Sequence, residues 1–422
     1  MLRVYKVVFL CGFSNRKIRE KLSLSNLKWR NWACKIIHHP PFKYSDFAIW
    51  VSDYIEEFEK HEEYEFHVLS PHRGMIRKQQ DFTLNGIHYH FFKKNSSLFG
   101  DLMNARFKLE QISDYYVKRR VIKRLIDRIN PDIIVLCGAE NPDYSSAVLD
   151  VRNKPVYVIL QTLLNSKKRI EMGVGSDYRR AIENRIFSHV VYYSTSNKEG
   201  IDYISHINNR AQFLSAGFPS HRPVVDINKG KTYDFVFFAR GITKNKGIED
   251  AIKALAIVKK EKADVSLAII GGCEVNYEKT LRGLISALGI ESNVDFKGFY
   301  PSIDDSYNEV SKSRSALLPG ITAGLNSTVR EAMLMGMPTI CYATSYTDVI
   351  NVDKCCLITA RMNDVEDLAE KMLFTILQHE EAGIIAASGQ EYAHLHFSNS
   401  AIVDKLLENC KLIVEEYNEH GA

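Results

Sequence analysis

The sequence predicts an α/β fold: two Rossmann-like, doubly wound parallel-sheet domains in tandem. Three observations carry that expectation. Runs that are apolar throughout recur at strand length, helical stretches separate them, and the alternation restarts after a Gly- and Pro-rich break near mid-chain. Strands that are apolar on both faces belong to parallel sheets covered by helices on both sides. At 422 residues, with 45% hydrophobic and 25% charged residues, the chain has the length and composition for two such domains.

Taken in order, the first half offers strands at Tyr5 to Cys11, Glu65 to Ser70, Gly86 to Phe92, Asp132 to Gly138, Pro155 to Gln161 and His189 to Thr195. Ile49 to His61 and Asp114 to Ile129 space their apolar residues as helices do. Gly217 to Thr232 is rich in Gly, Pro and charge and lacks a periodic pattern, so it marks the boundary. A second series then runs through strands Asp234 to Arg240, Val265 to Gly272, Val294 to Phe299, Ser315 to Gly320 and Thr339 to Ala343. Its helices are Gly247 to Glu261 and Tyr277 to Gly289, with a loop and short helix at Ala323 to Pro338. Tandem sheets of this kind predict a cleft between them, with ligands at the C-terminal ends of the strands.

Several function classes fall away. No apolar run approaches the ~18 residues that span a bilayer, and the opening MLRVYKVVFLCGF is too short and too charged in its apolar part for a secretory signal. The eight cysteines form no C-x-x-C pair and several lie in strand-like runs, which suits reduced thiols in a cytoplasm and no structural zinc. His38 and His39 precede Pro40, while His88 and His90 alternate on a strand among aromatic residues. No carboxylate cluster at metal spacing accompanies either pair in sequence, so no metal site is expected. Neither half shows G-x-G-x-x-G after a strand, which argues against a dehydrogenase.

The net charge of +4 hides an asymmetry. Residues 1 to 220 hold 34 Lys and Arg against 23 Asp and Glu, a surplus of 11, and the remainder holds 21 against 28, a deficit of 7. Positive charge gathers at Asn15 to Lys35, with Trp29 and Trp32, at Lys118 to Arg124 and at Lys167 to Arg169. The first of these reads as a docking surface for an anionic membrane or for a pyrophosphate-bearing acceptor, or as a solvated basic helix. No nucleic-acid module accompanies the charge.

Two features carry chemistry. Arg240 ends the first strand of the second domain, and Lys246 follows six residues later, before Gly247. A guanidinium fork and a mobile ammonium at a strand end suit a diphosphate. The second feature is AGLNSTVREAMLMGMP, Ala323 to Pro338. Thr328 and Glu331 have the spacing of a capping box, with Gly336 and Pro338 as stop signals. The unpaired amides of the same helix start also suit a phosphate.

In combination, Arg240 and Lys246-Gly247, the pair Gly271 and Gly272, Phe296 to Phe299, and the run from Leu317 to Pro338 resemble the nucleotide-binding domain of the GT-B glycosyltransferases of family 4, the retaining type found among capsule and exopolysaccharide enzymes. The resemblance implies that Arg240 and Lys246 hold a donor diphosphate and that Glu331 binds ribose. It also implies that the backbone at Asn326, Ser327 and Thr328 faces a phosphate, and that Gly12, Gly272 and Phe299 line the donor. In the first domain it points to Glu140, Asn141 and Gln161 beside the transferred sugar or the acceptor. The family's motif has a first acid eight residues before Glu331, where this chain has Ala323, and that replacement puts the usual sugar contacts in doubt.

The resemblance further implies an acceptor domain over residues 1–218, a nucleotide-sugar domain over 219–400, and a C-terminal helix over 401–422 packing back on the first domain. It implies a cytoplasmic enzyme, peripheral at the inner face of the membrane, whose partners are a nucleotide diphosphate sugar and a saccharide or lipid-linked acceptor. No resident cofactor or metal is implied. A non-catalytic nucleotide-sugar-binding scaffold of the same fold and a GT-B sugar-nucleotide epimerase remain as alternatives, with Ala323 favouring the scaffold.

Overall fold

The computed structural model describes residues 4–26, 28, 31–32, 35, 44, 46–93, 107–171, 173–219, 225–227, 230–321 and 326–420, and the statements below concern these residues. They divide into two compact units, Met1–Pro219 with Ile402–Ala422, and Ser220–Ala401.

The first unit is built on β1 (Tyr5–Leu10), β2 (Tyr64–His72), β3 (Gln79–Leu84), β4 (Ile87–Lys93), β5 (Ile133–Cys137), β6 (Val156–Ile159), β7 (Tyr192–Ser194) and β8 (Gln212–Phe213). Their order is β3-β4-β2-β1-β5-β6-β7-β8. Successive residues of β1 point to opposite faces and both faces are buried, as an apolar run requires. Val7 and Phe9 join Ile55 and Phe58 of the helix Ile49–Phe58 and Leu406 and Ile413 of the helix Asn399–His420. Val8 and Leu10 join Ile122 and Leu125 of the helix Tyr116–Ile129 and Ile186 of the helix Asp177–His189.

One strand corrects the all-parallel expectation. β3 runs antiparallel to β4, with Leu84 opposite Ile87. Asn85 (φ +50°) and Gly86 (φ +79°) make the turn between them, the residue pair that a two-residue hairpin of left-handed conformation favours. The polar residues Gln79, Gln80 and Asp81 mask β3 in the sequence, because it is an edge strand and only partly buried.

The second unit is all parallel among its described strands. It comprises β9 (Tyr233–Ile242), β10 (Leu267–Cys273), β11 (Val294–Gly298), β12 (Ser313–Leu317), β13 (Thr339–Tyr342) and β14 (Ile358–Ala360), in the order β11-β10-β9-β12-β13-β14. Phe235 and Phe237 pack on the helix Ile248–Val258 through Ile252 and Leu255. Val236 and Phe238 pack on the helix Ser327–Leu334 through Val329 and Met333.

In each sheet the chain works outward to one side and then returns to the middle to build the other. The reversals fall between β1 and β5 and between β9 and β12. Loops leaving adjacent strands at such a point diverge to opposite faces and leave a crevice at the carboxyl ends.

Glycines fix the geometry at the second reversal. β10 slips register with β9 between Ile270 and Gly272, and Gly271 bridges the slip at φ +142°, where a Cβ would run into the Ala239 carbonyl oxygen. We expect Gly271→Ala to destabilise the unit by at least about 2 kcal/mol. Gly283 lies exposed within the helix Val275–Ala287 with nothing within 4 Å of an added Cβ, so Gly283→Ala should stabilise by about 0.5–1 kcal/mol. Denaturant unfolding of both variants checks the opposite signs.

Candidate functional site

At the reversal of the second unit, the loops that follow β9 and β12 meet. The first loop makes a short 3-10 turn over Lys244–Lys246 and ends on Gly247 at φ +78°. A Cβ at Gly247 would collide with the Pro319 carbonyl oxygen, so the two loops touch backbone to backbone. The Ile321 N–H donates to the Asn245 carbonyl at 3.1 Å and ties them again. Together these contacts place the half-buried Lys246 beside the start of the helix Ser327–Leu334, where its Nζ donates to Asn326 Oδ1 at 3.3 Å.

That bond corrects the capping-box expectation. The N-cap of this helix is Asn326, not Thr328, and its side chain makes no cap bond. Thr328 lies inside the first turn and is buried. The Asn326 amide is turned toward Lys246 instead, over Gly320, where any Cβ would strike Asn326 Nδ2. Amides of a first helical turn have no partner within the helix and carry the positive end of the dipole. With the cap side chain withdrawn, the start of this helix is arranged for an anion. The stop signals hold: Gly336, at φ +72°, donates to the Met333 carbonyl and Met337 donates to the Ala332 carbonyl, a Schellman closure.

Burial pushes the Lys246 ammonium below its ordinary range, and the nearby charge of Glu331 opposes that fall. Glu331 sits one turn into the helix, partly exposed. Lys246, Asn326 and Glu331 therefore converge at the reversal between β9 and β12.

Arg240 is exposed near the end of β9, two residues before the strand stops at Ile242. An added Cβ at Gly272, on the neighbouring β10, would lie 3.4 Å from the Arg240 carbonyl oxygen and 3.7 Å from Phe299 Cδ2. Phe299 follows β11 and is 56% exposed, so its ring presents an uncovered aromatic surface. Arg240, Gly272 and Phe299 thus form a second group at the ends of β9, β10 and β11. Ser327 is exposed on the first helical turn, and Ala323 lies outside the described residues.

The reversal of the first unit gathers the other expected residues. Glu140 follows β5, and Gln161 follows β6. With the Gln161 amide oriented to satisfy both of its ends, Nε2 donates to Glu140 Oε1 at 3.3 Å and Oε1 accepts from Trp50 Nε1 at 3.1 Å. Glu140 Oε2 is buried with no hydrogen-bond partner, and its carboxyl tucks against Gly138, at φ +82°, where a Cβ would displace it. Arg179 Nε and Nη2 hold the Glu140 main-chain carbonyl at 3.0 and 2.6 Å. Burial raises the Glu140 carboxyl to about 7, and the charge of Glu183 adds to the rise.

Two further expected residues have local structural contacts. Asn141 caps the helix Pro142–Ser145, its side chain accepting from the Asp143 N–H at 3.3 Å. At Gly12 an added Cβ would lie 3.0 Å from Tyr144 Cε1, so the loop after β1 lies on an aromatic ring at that point. Trp50 was not foreseen, because nothing in the sequence links the helix Ile49–Phe58 to a strand end more than a hundred residues later.

In the basic segment, Arg16 pairs with Glu20, Lys17 with Glu56 and Arg19 with Asp46. These pairs reduce the charge it offers an anionic surface. Trp32 is 59% exposed, and Trp29 lies outside the described residues. No helix among the described residues is long and apolar enough to cross a membrane. His38 and His39 also lie outside the described residues. The premise that no carboxylate accompanies His88 and His90 is overturned: β2 and β3 bring Glu65 and Asp81 beside them, together with His67.

Residues 223–391, most of the second unit, match the family model described as glycosyl transferases group 1. A comparison of the sequence with curated proteins finds no match. Among solved structures, the sucrose-phosphate synthase of Thermosynechococcus elongatus is similar over 98% of this chain and 100% of its own, with a TM-score of 0.65 and 12% identity. HepE of Anabaena, solved with UDP and glucose, is similar over 97% and 100%, with a TM-score of 0.56 and 15% identity. The pneumococcal O-GlcNAc transferase GtfA, solved with UDP and GlcNAc, is similar over 69% of this chain and 60% of its own, with a TM-score of 0.52 and 16% identity. The fold is GT-B.

The Glu140 carboxyl generates a pH test. Its value in the fold lies above the unfolded value of 4.5, so the folded state holds a proton that the unfolded chain releases. The stability it contributes is complete below about pH 4.5 and is lost as pH rises to about 7. Glu140→Gln has no proton to lose. Its melting temperature relative to the wild type should climb across that window and level off above it, a gain on the order of 1–3 kcal/mol. Melts of both proteins from about pH 4 to pH 8 check this, and a difference independent of pH contradicts it.

Proposed function

We propose that the chain is a glycosyltransferase that moves a sugar from a nucleoside diphosphate sugar to a saccharide or lipid-linked saccharide acceptor, with retention at the anomeric carbon, in surface-polysaccharide biosynthesis. The observation that carries the reading is the convergence of Lys246, Asn326 and Glu331 at the β9/β12 reversal. The match of residues 223–391 to the group 1 family model supports the class of reaction.

The difficult step is departure of the diphosphate from an oxocarbenium-like sugar. The bond from the anomeric carbon to the β-phosphate oxygen breaks, and a new bond to an acceptor hydroxyl forms on the same face. The acceptor proton passes to the departing phosphate oxygen, so no separate base is needed. Negative charge grows on the diphosphate as this happens. In this reading Lys246, Arg240 and the first-turn amides at Ser327 and Thr328 receive it without reorganisation, which lowers the barrier. These cations and amides take the role that a divalent ion has in other phosphate chemistry, and no resident cofactor is required.

Glu331 supplies a carboxylate for ribose hydroxyls, and exposed Phe299 supplies a surface for the nucleoside. In the first unit, Glu140 and Gln161 present hydroxyl-binding groups. A Glu140 carboxyl that keeps its proton near neutral pH can donate a hydrogen bond as well as accept one. HepE and GtfA were solved with UDP, so UDP-sugars are the first donors to test.

Lys246→Met is the informative variant. Burial disfavours the ammonium in the fold, so at neutral pH its charge is a cost that methionine removes. The variant should melt at or above the wild-type temperature while losing transfer on the order of 10²–10³-fold. Saturating UDP should raise the wild-type melting temperature, corresponding to about 2.7 kcal/mol at a hundred times Kd, and should leave the variant unmoved. Undiminished transfer by the variant would remove the diphosphate assignment. UDP binding without transfer, across a panel of donors and acceptors, would make the chain a nucleotide-sugar-binding scaffold.

A further inference from the structure

A second constellation lies on one face of the first sheet, apart from the Glu140 and Gln161 group. Glu65 and His67 are two residues apart on β2, so they share a face. The register sets His88 of β4 opposite His67, and Thr83 and Asp81 of β3 opposite His88 and His90. The imidazoles of His67 and His88 stack with centroids 4.8 Å apart, and those of His67 and His90 at 5.3 Å. One oxygen of Glu65 and one nitrogen each of His67 and His88 all lie within 4.8 Å of one another.

The hydrogen-bond arithmetic of this row does not close on its own. Asp81 Oδ1 faces His90 Nδ1 at 3.2 Å, His90 Nε2 faces His67 Nδ1 at 3.0 Å, and His67 Nε2 faces Glu65 Oε1 at 2.8 Å. That is a chain of three contacts between two carboxylates, and two neutral imidazoles bring only two N–H protons to it. Whichever tautomers are chosen, one contact sets two lone pairs face to face. An added cation relieves it. If Asp81 orients His90 and His90 accepts from His67 Nδ1–H, the bare contact is the one between His67 Nε2 and Glu65, beside His88.

We propose that this position is a site for a divalent transition-metal ion of the zinc type, bound by Glu65 Oε1, His67 Nε2 and His88, with water as the fourth ligand. Two nitrogens and one carboxylate oxygen with an open position form a ligand set that such ions accept. Ligand atoms on a tetrahedral zinc lie about 3.3 Å apart, so small side-chain rotations close the present spacing around an ion. The surrounding groups orient the ligands. His90 and Asp81 fix the His67 tautomer, Thr83 Oγ1 holds His88 Nδ1 at 3.0 Å, and Arg128 lies 3.7 Å from Asp81. Lys6 Nζ, 3.2 Å from Glu65 Oε1, is the competing cation. A bound ion would cross-link β2 to β4 and steady the β3-β4 edge of the sheet.

The test uses the untagged full-length chain, stripped with a chelator and titrated with Zn²⁺ by calorimetry, with Co²⁺ absorption as a second readout. One equivalent should bind to the wild type. His88→Gln and Glu65→Gln should abolish that binding, and His90→Gln should weaken it about 10–100-fold, as loss of an orienting partner does. Lys6→Ala should tighten it by removing a like charge, a gain that damage to the fold would not produce. Absence of stoichiometric binding by the wild type would overturn the proposal, leaving a proton as the missing cation. Binding unchanged in His88→Gln while circular dichroism shows the variant folded would overturn it equally.

Discussion

The candidate donor site depends on one backbone contact, the approach of Gly247 to the Pro319 carbonyl. Because only glycine fits there, the loops after β9 and β12 close on each other where the strand order reverses, and everything chemical follows from that closure. Lys246 precedes the glycine and is carried inward with it. Asn326, which would otherwise cap its own helix, is turned over Gly320 to meet the ammonium. The first-turn amides have no partner within their own helix, and Glu331 stands one turn further on. A sheet topology that opens a crevice is thereby given a sign of charge.

The two reversals share a physical logic with opposite polarity. In the second unit a cation is held half-buried against a neutral amide, and burial works against its charge. In the first unit a carboxyl is held beside Gly138 with one oxygen lacking a partner, and burial works against its charge as well. Each arrangement costs folding stability. Groups whose charge burial disfavours in this way cluster at functional positions more than elsewhere.

Much of this was legible in the chain. The apolar runs located β1, β2, β4 to β7 and β9 to β13, whereas β8 and β14, two and three residues long, are too short to show a pattern. β3 escaped because an edge strand can be polar, although Asn85-Gly86 is a hairpin turn in plain view. The convergence of Gln161 with Glu140 was anticipated through resemblance, whereas Trp50 was not, since a helix face carries no signal about the strand end it will reach. Thr328 and Glu331 have capping-box spacing, yet the cap went to Asn326, and tertiary pull from Lys246 then took its side chain away. Glu65 and Asp81 looked unrelated to His88 and His90 because strand register, not sequence spacing, brings them together.

The central claim is that Lys246 acts on a diphosphate because its partner at Asn326 is neutral. Calorimetry of UDP, UMP and uridine binding to the wild type and to Asn326→Asp tests this directly. A carboxylate at that position would pair with Lys246 and set a negative charge at the helix start. The account predicts that UDP affinity falls by at least about tenfold, equivalent to 1.4 kcal/mol, while uridine binding is unchanged. Equal UDP affinity in the two proteins would contradict it.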